Sequence, residues 1–427
     1  MSMRKLLFGI FLCVLSLFSK AQDTVSVPVV PDTVSLASGV SYVYSSLFDG
    51  ASPADSLMPW PQRVKSRLDS LMSDELLSTS QLGMCVYDIT ADSLLYGHNM
   101  QQTLRPASTE KLLTAITALH VLGGSFRFVT SLYVDGEVRD SVLYGNVYIK
   151  GGMDPAFGHD DMRAFANSLI EKGIYRIDGE IVADISFKDT LRWGNGWCWD
   201  DEMERLTPLL YNGKDCFMAE FFSALQDDSI KSRGTFSYGI TPHEGEVFCL
   251  VSRYHTIDQI LMPMMKESDN MYAEALFYQI GAGKGNDYAT AEHSAARIKE
   301  LINRIGLDAS RYRIADGSGL SLYNYSSPEL LVAMLRYAHS RTNIFEHLYY
   351  SLPVAGVDGT LSRRMLRTSA ESNVYAKTGT LEGVSTLAGY AWSRERHLLA
   401  FAIMNQGILR TRHAHAFQNK VCRILTE

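Results

Sequence analysis

No two cysteines of this chain stand in a C-x-x-C spacing, which removes the usual zinc and thioredoxin-like readings. The 11 histidines show no ligand-like spacing either, so no metal and no cofactor is expected. Positive charge is not in excess: 40 Lys and Arg stand against 47 Asp and Glu, a net charge of −7 with both signs interspersed. No nucleic-acid partner is therefore expected. Beyond Phe18 no segment approaches the ~20 continuous apolar residues needed to cross a bilayer. Nothing in the composition sets an oligomeric state.

What is present is an ordinary globular composition, 46% hydrophobic and 20% charged over 427 residues, long enough for two or three domains around a large core. Arg4 and Lys5 precede the apolar run Leu6 to Phe18, and Ser19-Lys20-Ala21-Gln22 follows. Residues 1–21 thus read as a secretory signal peptide, with export as the consequence and no stable membrane span after its removal. Cys13 follows Leu12 rather than a small residue, so no lipid anchor is read. Removal leaves Cys85, Cys198, Cys216, Cys249 and Cys422, an odd number with at least one free thiol. Five buried free thiols are expected; a bridge from Cys198 to Cys216 or Cys249 is the alternative.

Residues 22–61 are rich in Ser, Val, Pro and Asp and read as a linker or unstructured lead. Helical periodicity follows over Val64–Leu77. Strands are predicted at Leu82–Ile89 and Ser93–Gly97, then a helix over Lys111–Leu122. From Arg127 the texture changes to short strands around one helix, Met162–Glu171, and residues 127–249 read as an inserted αβ domain. Helices are predicted at Ile257–Lys266, Met271–Ile280, Ala289–Ile305 and Pro328–Ala338. Strands are predicted at Val374–Thr380, Thr386–Trp392 and Leu398–Asn405, with a last helix over His413–Leu425. The fold class is α/β of the α+β kind. Residues 62–126 plus 250–427 build an antiparallel five-stranded sheet flanked by helices.

The stretch Pro106-Ala107-Ser108-Thr109-Glu110-Lys111 opens the first of these long helices. Ser108 and Lys111 are three apart and share a face at the helix start, a hydroxyl beside an amine at the positive end. Alone, S-x-x-K is expected about once by chance in such a chain. Two further motifs follow in order. Ser268-Asp269-Asn270 lies between two helices, and Lys377-Thr378-Gly379 lies on the first late strand. Each tripeptide is expected roughly 0.1 times by chance. S-x-x-K, S-D-N and K-T-G in this order are the signature of β-lactamases and penicillin-binding proteins. A capping Ser-Asp before a helix and a strand-end bulge are the structural alternatives for the second and third motifs.

The chain resembles the D-alanyl-D-alanine carboxypeptidases/endopeptidases of the class C low-molecular-mass penicillin-binding proteins. The resemblance rests on the three motifs and on Gly151-Gly152-Met153-Asp154-Pro155, Asp316-Gly317-Ser318-Gly319-Leu320-Ser321, Leu352 to Leu361 and the Lys377 to Tyr390 tract. It covers the chain from about Leu82 to the end. The group commonly carries two inserted domains between Lys111 and Ser268. The interval here is too short for two full ones, so one insert is expected to be reduced or absent.

The resemblance implies hydrolysis of peptidoglycan stem peptides at the terminal D-Ala-D-Ala bond, with DD-endopeptidase action as a companion activity. β-Lactam antibiotics would be covalent inhibitors, and the periplasm the compartment. Ser108 is the implied nucleophile, Lys111 its base, Ser268 the proton relay, and Asn270 the group that holds Lys111 and a substrate amide. Lys377 would supply positive charge. Thr378, Gly379 and Thr380 would receive the substrate, the Thr hydroxyls taking its terminal carboxylate. The Ser108 and Thr380 N–H groups would form the oxyanion hole. Asp154 would hold the ammonium of a diaminopimelate side chain, with a turn-forming role before Pro155 as its alternative. Relatives place an Arg after the G-L-S tract for a carboxylate of that side chain; here the position is Leu322. A serine β-lactamase and a catalytically silent cell-wall binding protein are the competing functions. Trp193, Trp197 and Trp199 read as a packed aromatic turn, with sugar stacking as the alternative. His413 and His415 read as a solvated helix face, and Glu110 has no assigned chemistry.

Overall fold

A computed structural model describes residues 58–283 and 288–427. The expected signal peptide and most of the expected lead lie outside the described residues. The lead ends earlier than the sequence suggested. Helix α1 runs from Trp60 to Leu71 with Pro61 in its first turn, where a missing N–H costs nothing. The Val64–Leu77 periodicity divides at Ser73-Asp74. The Asp74 side chain accepts from Leu76 N and starts a separate 3₁₀ turn at Glu75–Ser78.

Strands β1 (Gln81–Asp88) and β2 (Ser93–His98) form a hairpin, and α2 (Glu110–Val121) follows a 3₁₀ turn at Ala107–Thr109. The chain then builds a second sheet. Its elements are β3 (Arg127–Val134), β4 (Glu137–Arg139), β5 (Val142–Tyr144), β6 (Val147–Lys150), α3 (His159–Glu171), β7 (Arg176–Ile177), β8 (Ile181–Asp184), α4 (Phe217–Asp227), β9 (Ser237–Tyr238) and β10 (Phe248–Thr256). The order β10-β3-β6-β8-β9 makes one five-stranded sheet, and β4-β5-β7 a small satellite. β6 and β8 pair in parallel, and α3 supplies the crossover that parallel neighbours require. β10 pairs with β3 along its whole length, from Phe248 opposite Val134 to Thr256 opposite Arg127. This sheet therefore extends to Thr256, past the boundary at 249–250 that composition suggested.

The rest of the chain is helical, then stranded. Helices α5 (Ile257–Lys266), α6 (Asn270–Ala282), α7 (Ala291–Arg304), α8 (Pro328–His339) and α9 (Thr342–Ser351) precede β11 (Val374–Leu381), β12 (Val384–Trp392), β13 (Leu398–Gln406) and α10 (Thr411–Thr426). The first sheet has the order β11-β12-β13-β1-β2 and is antiparallel throughout, as expected from two early and three late strands. α9 carries no start signal: Arg341 is its N-cap and makes no side-chain cap bond, so sequence reading passed over it.

Both faces of the first sheet are covered. Leu112, Ile116, Leu276, Leu331 and Leu335 of α2, α6 and α8 pack with Ala388, Ala400 and Ala402 on one face. Val64 and Leu68 of α1 and Phe417 and Val421 of α10 pack with Leu387, Phe401 and Ile403 on the other. Every residue of α2 from Glu110 to Leu119 is buried. A helix enclosed on all sides is a rigid mount for whatever its first turn carries. All five described cysteines are free thiols. Cys85 and Cys422 are buried as expected, but Cys198 and Cys249 are exposed.

Candidate active site

Three separate pieces of chain meet at the N-terminus of α2. Ser108 sits in the 3₁₀ turn before it and Lys111 in its first turn. The Lys111 amine is fully buried and donates to Ser108 Oγ at 3.0 Å, Asn270 Oδ1 at 2.7 Å and the Ser318 carbonyl at 2.8 Å. Asn270 opens α6, and Asp269 is the N-cap, its carboxylate accepting from Tyr272 N. The S-D-N tripeptide therefore divides its work: the Asp caps, the Asn holds Lys111, and Ser268 faces the third motif. Lys377 Nζ donates to Ser268 Oγ at 2.8 Å and to the Thr378 carbonyl at 2.8 Å.

Backbone strain concentrates at two of these points. Ala107, one residue before Ser108, has φ +48°, and Ser268 has φ +63°. Each is a left-handed conformation that costs a non-glycine residue about 1 kcal/mol or more. Gly319, at φ +82°, lies against the Ala107 carbonyl so closely that no side chain would fit. The D-G-S-G tract is thus seated directly on the turn that presents Ser108.

β11 is the edge strand on the same side. Its first half is covered, since Ala355 N donates to the Val374 carbonyl and Ala376 N to Pro353 O. Backbone groups alternate along an antiparallel strand. The outward set continues through Thr378 and Thr380, so the Thr380 N–H points away from β12 on the side of the open edge. Gly379 sits where β11 meets the Ser108 turn. A Cβ there would overlap Thr386 Oγ1 and lie 2.8 Å from Pro106 O and 2.9 Å from Ser108 N. Gly379→Ala is expected to fold but to push β11 off the Ser108 turn. Its acylation by penicillin should fall about 10²-fold, measured as the second-order rate, because a displacement near 1 Å costs that much. A rate like the parent's would show that this contact does not set the geometry.

Burial pushes the Lys111 amine down to about 8, against the pull of the Asp316, Glu274 and Asp269 carboxylates. Burial and the neighbouring Lys111 hold the Lys377 amine well below its ordinary range. Two amines in one desolvated cleft resist being charged together, so the pair favours one neutral amine. Glu110 is fully buried with neither carboxyl oxygen hydrogen-bonded, and burial raises it far above the carboxylate range.

Asp154 is engaged elsewhere. It is 1% exposed, its Oδ2 is paired with His255 Nδ1 at 2.7 Å, and its Oδ1 accepts from Ala156 N at 3.0 Å. The bond to Asp154 in turn holds His255 above its ordinary range. This is the turn-forming arrangement, with an ion pair added, rather than a carboxylate free to take a ligand's ammonium. Leu322 is half-buried, and its carbonyl accepts from Arg105 Nε at 3.2 Å. Trp197 fastens the D-G-S-G turn by donating to Asp316 Oδ2 at 2.8 Å, while Trp193 and Trp199 are exposed. His415 is half-buried, and burial, with Arg364 beside it, depresses it to about 4; it does not belong to a solvated face.

Sequence reading missed three groups that touch the motif residues. The Ser318 carbonyl receives Lys111, Thr360 Oγ1 receives the Thr378 hydroxyl at 2.8 Å, and Thr386 Oγ1 donates to Pro106 O at 2.7 Å. The D-G-S-G and V-D-G-T-L tracts were visible as parts of the resemblance, but such a tract does not announce which carbonyl or hydroxyl it delivers. Lys266 Nζ ties the second tract to the S-D-N turn through Asp358 Oδ2 at 2.7 Å and Leu352 O at 2.6 Å. A cavity of ≈ 640 Å³ lined by Ile185, Lys188, Arg192 and Arg205 contains none of the motif residues. The S-x-x-K and S-D-N motifs meet at the Lys111 amine, and the K-T-G lysine joins them at Ser268, a convergence that marks the candidate site better than cavity size does. Among the described residues no cluster of His, Cys, Asp and Glu is arranged to hold a metal.

Residues 64–210 and 206–427 match the D-Ala-D-Ala carboxypeptidase 3 (S13) family. The D-alanyl-D-alanine carboxypeptidase DacB of Haemophilus influenzae is 24% identical over 77% of this chain and 86% of that protein. The D-alanyl-D-alanine carboxypeptidase of an Actinomadura species is 26% identical over 84% of each. Among solved structures, penicillin binding protein 4 of Haemophilus influenzae superposes with a TM-score of 0.75 at 22% identity, covering 83% of this chain and 97% of that one. A predatory endopeptidase of Bdellovibrio bacteriovorus superposes with a TM-score of 0.56 at 16% identity, covering 81% and 93%. At these identities the two structures speak for the fold.

Proposed function

Because this chain belongs to the D-Ala-D-Ala carboxypeptidase 3 (S13) family, we propose that it is a serine DD-carboxypeptidase that hydrolyses peptidoglycan stem peptides through an acyl-enzyme on Ser108. The observation that carries the reading is the Lys111 amine, bonded at once to Ser108 Oγ, Asn270 Oδ1 and the Ser318 carbonyl. A neutral amine held there is a base in contact with its hydroxyl.

Ser108 Oγ attacks the carbonyl of the penultimate D-alanine while its proton passes to Lys111 Nζ. The carbonyl oxygen takes negative charge between the Ser108 and Thr380 N–H groups. As the C–N bond breaks, the Ser268 hydroxyl gives a proton to the departing D-alanine nitrogen and recovers one from the adjoining amines. Water then attacks the ester, Lys111 again takes the proton, and Ser108 regains it. The open edge of β11 receives the extended peptide as an added strand, with the Thr378 and Thr380 hydroxyls at the terminal carboxylate. Cleavage of a cross-link is the same step with a different leaving amine, which brings DD-endopeptidase action under one mechanism. Covalent capture by β-lactams at Ser108 and export to the periplasm belong to the same reading.

The test is to incubate the protein with penicillin and follow its intact mass, then assay D-alanine release from a pentapeptide. A long-lived adduct with D-alanine release is the expected result. Rapid penicillin turnover would instead indicate a β-lactamase, and no adduct with no release a silent binding protein. The rate of acylation carries a pH signature. Lys111 must be neutral to act, and its amine is held to about 8. The rate should therefore rise through about pH 8 and level off above it. A flat profile between about pH 6 and 10 would remove Lys111 as the base.

A further inference from the structure

Asn270 and Glu274 stand one turn apart on α6 and face the same amine. Asn270 reaches Lys111 directly. Glu274, 1% exposed, reaches it through one peptide unit: its Oε1 accepts from Ser318 N at 2.8 Å and from Gly317 N at 3.1 Å, and the Ser318 carbonyl accepts from Lys111 Nζ at 2.8 Å. We propose that Glu274 is a positioning residue for Lys111, fixing through the Ser318 carbonyl the direction in which the amine's lone pair points.

The argument is one of hydrogen-bond counting. A neutral amine has two N–H groups and one lone pair. Three acceptors surround Lys111 Nζ: Asn270 Oδ1, the Ser318 carbonyl and Ser108 Oγ. When the first two take the two N–H groups, the lone pair is left facing Ser108 Oγ, ready to receive its proton. If the Ser318 carbonyl moves, one N–H turns to another acceptor and the lone pair loses its aim. The Ser318 peptide has no regular element to hold it. It lies in the turn Asp316–Gly319, which is fastened from three sides. Asp316 accepts from Gly319 N, Ser321 N, Asn324 Nδ2 and Trp197 Nε1. Thr114 Oγ1 donates to Gly317 O. Glu274 alone among these grips the N–H of Ser318 itself. Glu110 is an internal contrast, since it is equally buried and close by but makes no hydrogen bond to the turn.

The inference rests on the acyl-enzyme reading, and one experiment separates the two. Acylation by a fluorescent penicillin is followed at several concentrations, giving the non-covalent Kd and the acylation rate constant k2. If the parent protein forms no adduct, the functional reading fails. If the parent reacts, Glu274→Ala is expected to lose k2 by about 10²-fold with Kd within about threefold, as befits a mis-aimed base in an intact cleft. Glu274→Leu fills the interior volume without an acceptor and should match it, so the reading survives if the alanine variant does not fold. Glu274→Gln keeps an oxygen for the Ser318 and Gly317 N–H groups and should return k2 to within about fivefold of the parent. Glu110→Gln should leave k2 within about threefold. A k2 near the parent's in Glu274→Leu, no recovery in Glu274→Gln, or an equal loss in Glu110→Gln would each overturn the assignment.

Discussion

Ser108→Ala is expected to yield a folded protein that forms no adduct with penicillin and releases no D-alanine. The expected loss is at least about 10⁴-fold, since removing the nucleophile of a covalent mechanism leaves only binding and oxyanion stabilisation. The structure explains why the fold should survive. Ser108 Oγ is bonded to Lys111 Nζ, and the 3₁₀ turn that carries it is held independently by the Thr109 and Thr386 hydroxyls, both of which donate to Pro106 O at 2.7 Å. Removing that bond should cost about 1 kcal/mol. Intact mass after penicillin treatment, D-alanine release and a thermal melt check the three parts together. Retained D-alanine release would remove Ser108 as the nucleophile. Ser268→Ala should still form the adduct, more slowly, because it loses a proton relay and not the attacking atom.

Lys111→Met separates activity from stability. Acylation should fall about 10³-fold, within the range for loss of a general base. Stability at neutral pH should rise. The folded amine is held near 8 against 10.5 for the free side chain, chiefly by burial. The unfolded chain therefore binds the proton more tightly, and below pH 8 folding carries the full penalty, of order 3 kcal/mol. Methionine removes that penalty and forfeits hydrogen bonds to Asn270 and Ser318 worth about 1–2 kcal/mol, leaving a net gain of about 1–2 kcal/mol. Between about pH 8 and 10.5 the parent regains stability as its unfolded state also loses the proton, so the gap should close. Urea unfolding at pH 7 and at pH 10 checks the sign. A variant less stable than the parent at pH 7, or a gap that does not narrow by pH 10, would contradict it.

Much of this arrangement was legible in the sequence for specific reasons. The five strands of the catalytic sheet carry apolar runs bounded by turns, and both faces of that sheet are buried, so periodicity and length were enough to mark them. The S-x-x-K, S-D-N and K-T-G residues could be named because the three motifs occur in the order of a known signature, each at the start or edge of an element. The interval between Lys111 and Ser268 was visible as a length. It holds β3 to β10, with α3 and α4 among them, and then α5, and where the second sheet closes was not visible. β10 alternates poorly between buried and exposed positions, so composition placed the boundary inside a strand that belongs to the second sheet.

Three residues whose surroundings the sequence did not settle share another trait. Asp154 was read as a ligand or a turn residue, and its fate depended on His255, 101 positions away on β10. His415 was assigned to a solvated face because its helix is amphipathic, yet Arg364 from a distant turn packs beside it. Glu110 carried no signal because its neighbours, Asp316 and Glu274, are brought to it only by the fold.

The sequence by itself named the candidate side chains, through three motifs in order and the resemblance they carry, and it placed the elements they sit on, because helix starts, strand edges and turn residues are set by interactions within a few positions. Tertiary structure decided what those side chains are. The depressed amine of Lys111, the aim of its lone pair through Ser318 and Glu274, the engagement of Asp154 and the close approach of Gly379 to Ser108 all come from groups brought together across long separations. Desolvation and hydrogen-bond geometry depend on distance in space, and a linear pattern does not contain that distance.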